Sequence, residues 1–331
     1  MSPRTVLTFH AGEQQRQALE AILEPAGGVG YLTDAGDDPQ ARAALLRPAE
    51  AVITWAPGQE LTEDDIKVLA SAGLIQLLSA GADHIDFARL PAGVKVAGNV
   101  GAYADPMAEH VLAMALALAK RLPQNHAKLA SGTFELAQTL RMRGGTAGIL
   151  GYGGIGSASA RLLRALGMRV YAINTSGRAD GADQAGTLAD LDDMLASSDV
   201  VVVTLPLTST TRGLIGAREL GLMKPAAILV NVARGAIIDE DALYEHLAAH
   251  PDFSAGIDTW WEEPGHGRPF HPRRPFFGLP NLLGSPHNSG VVPGMDVVSV
   301  EHAARNVAAY LSGQPPRGIQ NPADYPAKPV S

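Results

Sequence analysis

The stretch GILGYGGIG, residues 148–156, carries the strongest structural signal in this chain. Gly151, Gly153 and Gly156 have the G-x-G-x-x-G spacing. The first glycine allows a tight turn, the second lets the backbone approach a pyrophosphate, and the third permits close packing of a helix on a strand. An apolar run precedes the glycines, and a helical pattern follows from Ile155 to about Leu166. In this setting the turn predicts a dinucleotide at the helix N-terminus, although glycine-rich turns also occur for purely structural reasons.

Short apolar runs alternate with helical patterns on both sides of this turn, which indicates parallel sheets with crossover helices. The first hundred residues contain the candidate strands TVLTFH, VGYL, AVITW, LIQLLS and VKVAG. A second series follows from residue 146, with TAGILG, RVYAIN, DVVVVTL, AILVNV, FSAGIDTW and NLLGSP. Six strands are the number expected of a doubly wound nucleotide-binding domain.

We therefore expect an α/β protein with two domains, for which a chain of 331 residues is long enough. A nucleotide-binding domain, residues 100–289, is inserted in a smaller substrate domain, residues 1–99 plus 290–331. The last helical pattern, MDVVSVEHAARNVAAYL, is expected to pack on the substrate domain, because no further strand series follows it. The proline-rich segment 264–280 is expected to be either a surface insertion or a lid over a substrate.

Composition and charge argue against several classes of protein. A net charge of -8 argues against a nucleic-acid partner. The absence of cysteine removes disulfides, thiol nucleophiles and thiolate metal sites, and the ten histidines show no metal-ligand spacing. The apolar stretch 107–120 contains Glu109 and His110 and is too short to span a bilayer. We expect it to be a helix buried between domains or subunits of a cytoplasmic protein that has no metal and no membrane partner.

The strand RVYAIN ends where an NAD enzyme usually places an acidic residue that binds the ribose hydroxyls. This chain places Asn174 there, 18 positions after Gly156, and Thr175, Ser176 and Arg178 follow. Asn174 carries no charge that would repel a 2′-phosphate, and Ser176 and Arg178 could donate hydrogen bonds to one. The sequence thus predicts a preference for NADP, with NAD also possible. The alternative is that Arg178 is a solvated loop residue.

Three later strands lead into polar residues that a buried strand does not need for packing. AILVNVARG contains Arg234, GIDTWWEEP contains Asp258, Glu262 and Glu263, and NLLGSPHNSG contains His287. Ligands of open α/β sheets bind outside the carboxyl ends of the strands. These side chains are therefore expected at one site.

The residue types suit hydride transfer to a carbonyl compound that carries a carboxylate. Arg234 would bind that carboxylate bidentately, and His287 would exchange a proton with the carbonyl oxygen. Glu263 would favour the charged form of His287. Other roles are open at this stage: a surface ion pair for Arg234, a structural turn for His287, and Glu262 in place of Glu263.

The motifs GILGYGGIG, LVNVARGAIIDEDAL, GIDTWWEEP and SPHNSG, in this order, resemble those of the D-isomer-specific 2-hydroxyacid dehydrogenases. LLSAGADHID and NVGAYADPMAEH resemble substrate-domain segments of that family, so the resemblance covers nearly the whole chain. It implies a Rossmann-type doubly wound parallel sheet inserted in a flavodoxin-like α/β substrate domain. It also implies a homodimer that forms through the nucleotide domain, and a catalytic triad of Arg234, Glu263 and His287.

The resemblance further implies which residues bind ligands. The backbone amides of Ala80, Gly81 and Ala82 would bind the substrate carboxylate, together with Tyr103 and Arg234. Asp258 would hold the nicotinamide carboxamide, and residues 204–211 would line the cofactor groove. The residues expected to contact the cofactor are Gly151, Tyr152, Gly153, Gly154, Ile155, Gly156, Asn174, Thr175, Ser176, Arg178, Leu205, Pro206, Thr211, Val232, Ala233, Asp258 and Ser289.

The sequence thus predicts an NAD(P)-dependent 2-hydroxyacid dehydrogenase that works as a 2-oxoacid reductase. Asn174 with Arg178 resembles the NADP-linked glyoxylate and hydroxypyruvate reductases of the family. Two alternatives stay open on the same fold: a dinucleotide-sensing, corepressor-like interaction protein, and a dehydrogenase of formate or phosphite. Formate dehydrogenases of this fold pair their histidine with glutamine, so Glu263 argues against formate. The two tryptophans of DTWW and the long segment 264–280 depart from the family pattern, and both could reshape the substrate pocket.

Overall fold

A computed structural model describes residues 2–264 and 267–325 of the chain. The chain divides into two compact units, crossing from the first to the second after Tyr103 and returning at Pro293. Both crossings lie a few residues beyond the points 99 and 290 that the sequence suggested. Tyr103 consequently belongs to the first unit.

The first unit is a parallel α/β sheet covered by helices. Its strands are β1 (Thr5–Leu7), β2 (Val29–Tyr31), β3 (Ala51–Thr54), β4 (Leu74–Leu77) and β5 (Lys95–Ala97). Its first helices are α1 (Glu13–Leu23), α2 (Pro39–Leu46), α3 (Pro57–Glu60) and α4 (Glu63–Val68). Within the described residues the strand order is β2-β1-β3-β4-β5, the order of flavodoxin-like folds.

The second unit contains a larger parallel sheet. Its strands are β6 (Thr146–Leu150), β7 (Arg169–Ile173), β8 (Gln184–Gly186), β9 (Val200–Val203), β10 (Ile228–Asn231), β11 (Ser254–Ile257) and β12 (Leu282–Gly284). Its helices are α5 (Ala104–Ala119), α6 (Leu122–Ala130), α7 (Gly154–Ala165), α8 (Leu191–Ser197), α9 (Ala217–Leu222) and α10 (Glu240–Ala249). In the described part of this unit the order is β12-β11-β10-β9-β6-β7-β8. The strand order reverses between β6 and β9, as in Rossmann folds, and the predicted fold class is confirmed.

Strand β8 corrects the sequence prediction of six strands in this domain. It lies at the edge of the sheet beside β7, and two of its three residues are exposed. An edge strand of this length needs no apolar run, because only one of its sides is covered. The alternation of apolar residues therefore gave no sign of it.

The last helix, α11 (Met295–Leu311), belongs to the first unit. Val300 and Val307 are buried with Leu7 and Leu19 in one hydrophobic cluster, so α11 packs beside α1 on the sheet. Helix α11 thus packs on the sheet of the first unit.

The apolar helix α5 packs inside its own unit. Val111, Met114 and Leu118 are buried against α7, β10 and β11, and the absence of a side chain at Gly256 makes room for Met114. The sequence-based expectation that this helix is buried between domains or subunits is therefore wrong for its buried face. None of the helices in the described residues combines the length and hydropathy that crossing a bilayer requires.

Candidate active site

Three glycines lie in the turn after β6 and in the first turn of α7, and the space around each of them differs. Gly151 has a φ of 101°, in the left-handed region, and a Cβ there would lie 2.8 Å from the Leu205 nitrogen. A Cβ on Gly156 would lie 1.9 Å from the Gly151 oxygen, so only glycine lets helix and strand pack this closely. A Cβ on Gly153, in contrast, would meet no described atom within 4 Å. The open space at Gly153, in front of the N-terminus of α7, fits a pyrophosphate.

The segment after β9 lies directly against this turn. The Thr204 hydroxyl donates a hydrogen bond to the Gly151 oxygen at 2.6 Å. Further along, the buried Thr211 hydroxyl donates to the Pro206 oxygen at 2.7 Å and accepts from the Thr208 nitrogen at 2.8 Å. Thr211 therefore shapes the loop from within, whereas Pro206 is exposed and Leu205 half-buried on its surface.

Asn174 organises the turn that follows β7. Its Oδ1 accepts hydrogen bonds from the Ser176 nitrogen and hydroxyl, both at 2.9 Å, and from the Gly177 nitrogen at 2.8 Å. Its Nδ2 donates to the Arg178 oxygen at 2.7 Å. The amide of Asn174 is thus engaged in its own turn, while Thr175, Ser176 and Arg178 are exposed.

Tyr152 connects the glycine turn to the same loop, because its hydroxyl donates to the Asp180 oxygen at 2.9 Å.

Arg234 lies in a tight turn after β10, beyond the buried residues Val232 and Ala233. Asn231 closes this turn: its Oδ1 accepts from the Ala233 nitrogen at 3.0 Å and its Nδ2 donates to the Arg234 oxygen at 2.9 Å. A Cβ on Gly235 would lie 2.4 Å from the carbonyl carbon of Trp260. Glycine at 235 therefore lets the Arg234 turn rest on the backbone that leads to Glu263.

His287 and Glu263 form a hydrogen-bonded pair. The Nδ1 of His287 lies 2.7 Å from Oε2 of Glu263, and Oε1 of Glu263 accepts from the Trp260 nitrogen at 2.9 Å. Burial raises the pKa of the Glu263 carboxyl, but the hydrogen bonds from His287 and Trp260 outweigh it and hold the pKa below its ordinary value. A carboxylate can only accept, so Nδ1 carries a proton and Nε2 is the ring nitrogen left for a substrate. The neighbouring Glu262 is exposed.

Asp258 holds the turn that carries His287. Its carboxylate is fully buried and accepts from the Ser285 hydroxyl at 2.5 Å, the Asn288 nitrogen at 3.1 Å and the Ser289 nitrogen at 3.2 Å. Burial raises the pKa of this carboxyl, but the hydrogen bonds from Ser285 and Ser289 outweigh it and keep the pKa below the ordinary value. His287 has a φ of 52°, a conformation that costs energy outside glycine and that these bonds stabilise. A contact of Asp258 or Ser289 with nicotinamide stays a prediction.

His110, from α5, belongs to this network although the sequence gave it no role. Its Nε2 lies 2.9 Å from the Ser285 hydroxyl and 3.7 Å from an Asp258 carboxylate oxygen. Because the Ser285 hydroxyl proton points to Asp258, the Ser285 oxygen accepts from His110. His110 stands 148 positions before Asp258 in the sequence, so no local motif could reveal the contact.

In the first unit, three successive backbone amides lie in the loop after β4. The amides of Ala80, Gly81 and Ala82 donate no hydrogen bond within the described residues. The Ser79 hydroxyl donates to the Gly81 oxygen at 2.8 Å and fixes the loop. The Tyr103 hydroxyl donates to the Leu78 oxygen at 3.0 Å, next to these amides.

Comparison with known proteins decides the family. Residues 112–289 match the model of the NAD binding domain of the D-isomer specific 2-hydroxyacid dehydrogenases, which is more than half of the chain. The chain belongs to this family. The resemblance seen in the sequence motifs is thereby confirmed.

Three members illustrate how far the similarity extends. D-3-phosphoglycerate dehydrogenase of Archaeoglobus fulgidus is 32% identical over 85% of this chain, which spans only 56% of that protein's length. Glyoxylate reductase of Thermococcus litoralis is 28% identical over 97% of both chains. A crystal structure of a D-isomer specific 2-hydroxyacid dehydrogenase from Xanthobacter autotrophicus, in complex with NADPH and MES, has a TM-score of 0.80 and 26% identity, covering 97% of this chain and 99% of that one.

As a member of the family, the protein has a nicotinamide dinucleotide-binding domain. The structure brings together Glu263 and His287, and it places the Arg234 turn on the backbone at Trp260 and Trp261 that leads to Glu263. It places the glycine turn, the Asn174 turn and the segment after β9 at the carboxyl ends of the same parallel sheet. The sequence-based set lacked His110 and Trp260, which contact Ser285 and Glu263.

Proposed function

We propose that this protein is an NAD(P)-dependent 2-hydroxyacid dehydrogenase that reduces 2-oxoacids. The observation that carries the proposal is the 2.7 Å pair between His287 and Glu263. Both residues lie at the carboxyl ends of strands in the sheet that carries the glycine turn. This is where open α/β sheets bind their ligands.

The residues divide the chemistry among them. The nicotinamide supplies a hydride for the 2-carbon when it is bound. Arg234 holds the carboxylate and the carbonyl of the substrate with its forked guanidinium. His287 donates a proton from Nε2 to the carbonyl oxygen, and Glu263 fixes the ring and stabilises the imidazolium before the transfer.

The first unit contributes the amides of Ala80, Gly81 and Ala82, which bind the substrate carboxylate. Their lack of acceptors among the described residues supports this role. A buried amide without a partner costs free energy, so a loop that leaves three of them open is suited to an anionic ligand. Tyr103 holds the start of this loop through the Leu78 oxygen.

NADP is the preferred cofactor in this proposal. Arg178 is exposed on the turn where the 2′-phosphate would lie, and no ion pair engages its guanidinium within the described residues. Asn174 uses its amide within the turn and brings no negative charge there. The relative from Xanthobacter autotrophicus is in complex with NADPH, which carries a 2′-phosphate, and this supports the proposal.

Initial rates with NADPH and NADH test the activity. The substrates are glyoxylate, hydroxypyruvate, pyruvate and phenylpyruvate, with formate and phosphite assayed in the presence of NADP⁺ as controls for the other chemistry. We expect oxidation of NADPH with at least one 2-oxoacid, and a kcat/KM about tenfold or more above that with NADH, since a charge-assisted hydrogen bond contributes about 1.5–3 kcal/mol. Turnover with none of the four acids would contradict the proposal, and turnover with formate or phosphite would favour the alternative dehydrogenase.

We also propose that the protein is a homodimer that pairs through α6 and the segment after it. Phe134 and Leu136 are 84% and 92% exposed, and Leu122 and Leu129 on α6 are more than half exposed. These four exposed apolar side chains lie within fifteen residues of the chain, and large exposed apolar surfaces often mark sites of protein–protein contact. A second copy of this chain would cover them.

Sedimentation equilibrium checks this assembly. The wild-type protein should have the mass of two chains, and the double variant Phe134→Ser, Leu136→Ser should have the mass of one, because its interface loses its largest apolar side chains. Val291→Ser, at another exposed apolar residue, is the control and should remain a dimer. A monomeric wild type would disprove the assembly.

A further inference from the structure

We propose that Trp260 is a positioning residue for the acid/base histidine; this rests on the role proposed for His287. The indole Nε1 of Trp260 donates to the Ser285 oxygen at 2.9 Å. The backbone nitrogen of the same residue donates to Oε1 of Glu263 at 2.9 Å. One residue thus contacts both segments that form the pair, the turn before His287 and the carboxylate beside it.

The indole can make this contact because its ring is packed on several sides. The ring centroids of Phe270 and Phe277 lie 5.0 and 5.3 Å from that of Trp260, and the indole is nearly buried. A Cβ on Gly284 would lie 2.8 Å from the ring, so glycine at the end of β12 admits the indole. The aromatic residues that hold Trp260 come from the long segment between β11 and β12.

Ion pairs anchor that segment to α10. Arg273 lies 2.9 Å from Glu240, and Arg274 lies 2.6 Å from Asp241. The described part, residues 267–280, is therefore fastened to the unit at its centre and packs on Trp260 at both ends through Phe270 and Phe277. This arrangement suits a support for the turn that carries His287.

The turn that starts at Ser285 needs such support. His287 adopts a left-handed φ of 52°, which an ordinary residue keeps only when its surroundings determine it. Asp258 and His110 hold the Ser285 hydroxyl, and Trp260 holds the Ser285 carbonyl. The Trp260 nitrogen also occupies Oε1 of Glu263, which leaves Oε2 for His287. Without the indole donor, His287 spends less time in the orientation that donates to a substrate.

The test compares Trp260→Phe with Trp261→Phe in the full-length protein. Trp260→Phe keeps a ring for Phe270 and Phe277 and keeps the backbone bond to Glu263, but it removes the donor to Ser285. The neighbouring Trp261 is a matched control, because its indole donates to the Ile238 oxygen at 2.6 Å and its ring stacks on Phe276 at 5.4 Å. Both variants lose one indole hydrogen bond, and only one of these bonds touches the catalytic turn.

We expect Trp260→Phe to lower kcat about five- to tenfold, the effect of one net hydrogen bond, with KM for the 2-oxoacid and Kd for NADPH nearly unchanged. Trp261→Phe should keep kcat within about twofold. Equal losses of kcat in the two variants would mean a general structural role, and an unchanged kcat in Trp260→Phe would overturn the proposal. If Trp260→Phe does not fold, Phe277→Ala is the second variant. Phe277 is largely exposed, so its loss should be tolerated, and it removes one of the rings that hold the Trp260 indole. An unchanged kcat in Phe277→Ala would also overturn the proposal.

A second readout does not depend on turnover. The proton between Nδ1 of His287 and Glu263 should give a downfield proton NMR signal in the wild type, assigned by its loss in His287→Asn. The signal should broaden in Trp260→Phe and persist in Trp261→Phe. If the wild type reduces no 2-oxoacid but the signal behaves in this way, the proposed function fails and the positioning role stands. A signal that is identical in all three proteins overturns the positioning role alone.

Discussion

We expect the replacement of His287 by asparagine to lower kcat for the proposed 2-oxoacid reduction by a factor of about 10² to 10⁴, the range of a positioned general acid. Asparagine is chosen because it tolerates a left-handed backbone better than other polar residues, so the turn at φ 52° can persist. His287→Asn removes the ring nitrogen Nε2, which is the proposed proton donor. Steady-state rates with NADPH and the best 2-oxoacid of the panel measure the effect, and KM should change little.

Two variants at neighbouring carboxylates serve as its controls. Glu263→Gln keeps an acceptor for the Trp260 nitrogen but loses the charge beside His287, so kcat should fall by about tenfold or more, less than in His287→Asn. Glu262→Gln changes an exposed residue outside the pair and should leave kcat within about twofold. A His287→Asn enzyme with most of its kcat would show that another group donates the proton, although membership of the family would stand.

Much of the fold followed from local patterns in the sequence. Buried parallel strands are continuous apolar runs, so β6, β9 and β10 were visible without any knowledge of their partners. Strand β8 was not, because an edge strand with two exposed residues carries no such run. Helix α5 was predicted as a helix, but the prediction of where its buried face packs was wrong, because apolar composition predicts burial and does not identify the surface that buries it.

The site followed less completely, because residue types were visible and contacts were not. Glu262 and Glu263 are equivalent in sequence, and only the backbone after Trp260 decides that Glu263 turns to His287. At Asn174 the missing charge was correctly noticed, whereas the four hydrogen bonds that make its amide a part of the turn depend on the loop conformation. His110 and Trp260 contact Ser285 from distant positions in the sequence, and the spacing of a motif does not reveal such contacts.

The turn after β7 leads to the second large effect, a change of cofactor preference. Arg178→Ala should lower kcat/KM for NADPH by about ten- to a hundredfold and leave that for NADH nearly unchanged, since a charged hydrogen bond contributes about 1.5–3 kcal/mol. Arg169→Ala is the matched control, because Arg169 is the first residue of β7 and therefore lies at the opposite end of this strand from the Asn174 turn. Both variants lose one positive charge from β7 or its end, and only Arg178 lies on the Asn174 turn.

Asn174→Asp is a less informative variant than Arg178→Ala. An aspartate would repel a 2′-phosphate, but it would also place an oxygen where the Nδ2 of Asn174 donates to the Arg178 carbonyl at 2.7 Å. The turn would open, and lost NADPH binding could then reflect a changed backbone instead of a changed charge. Arg178 uses only its backbone in that turn, so its side chain can be removed while the turn remains. If the ratio of kcat/KM for the two cofactors is the same in wild type and Arg178→Ala, the 2′-phosphate is not bound by this guanidinium.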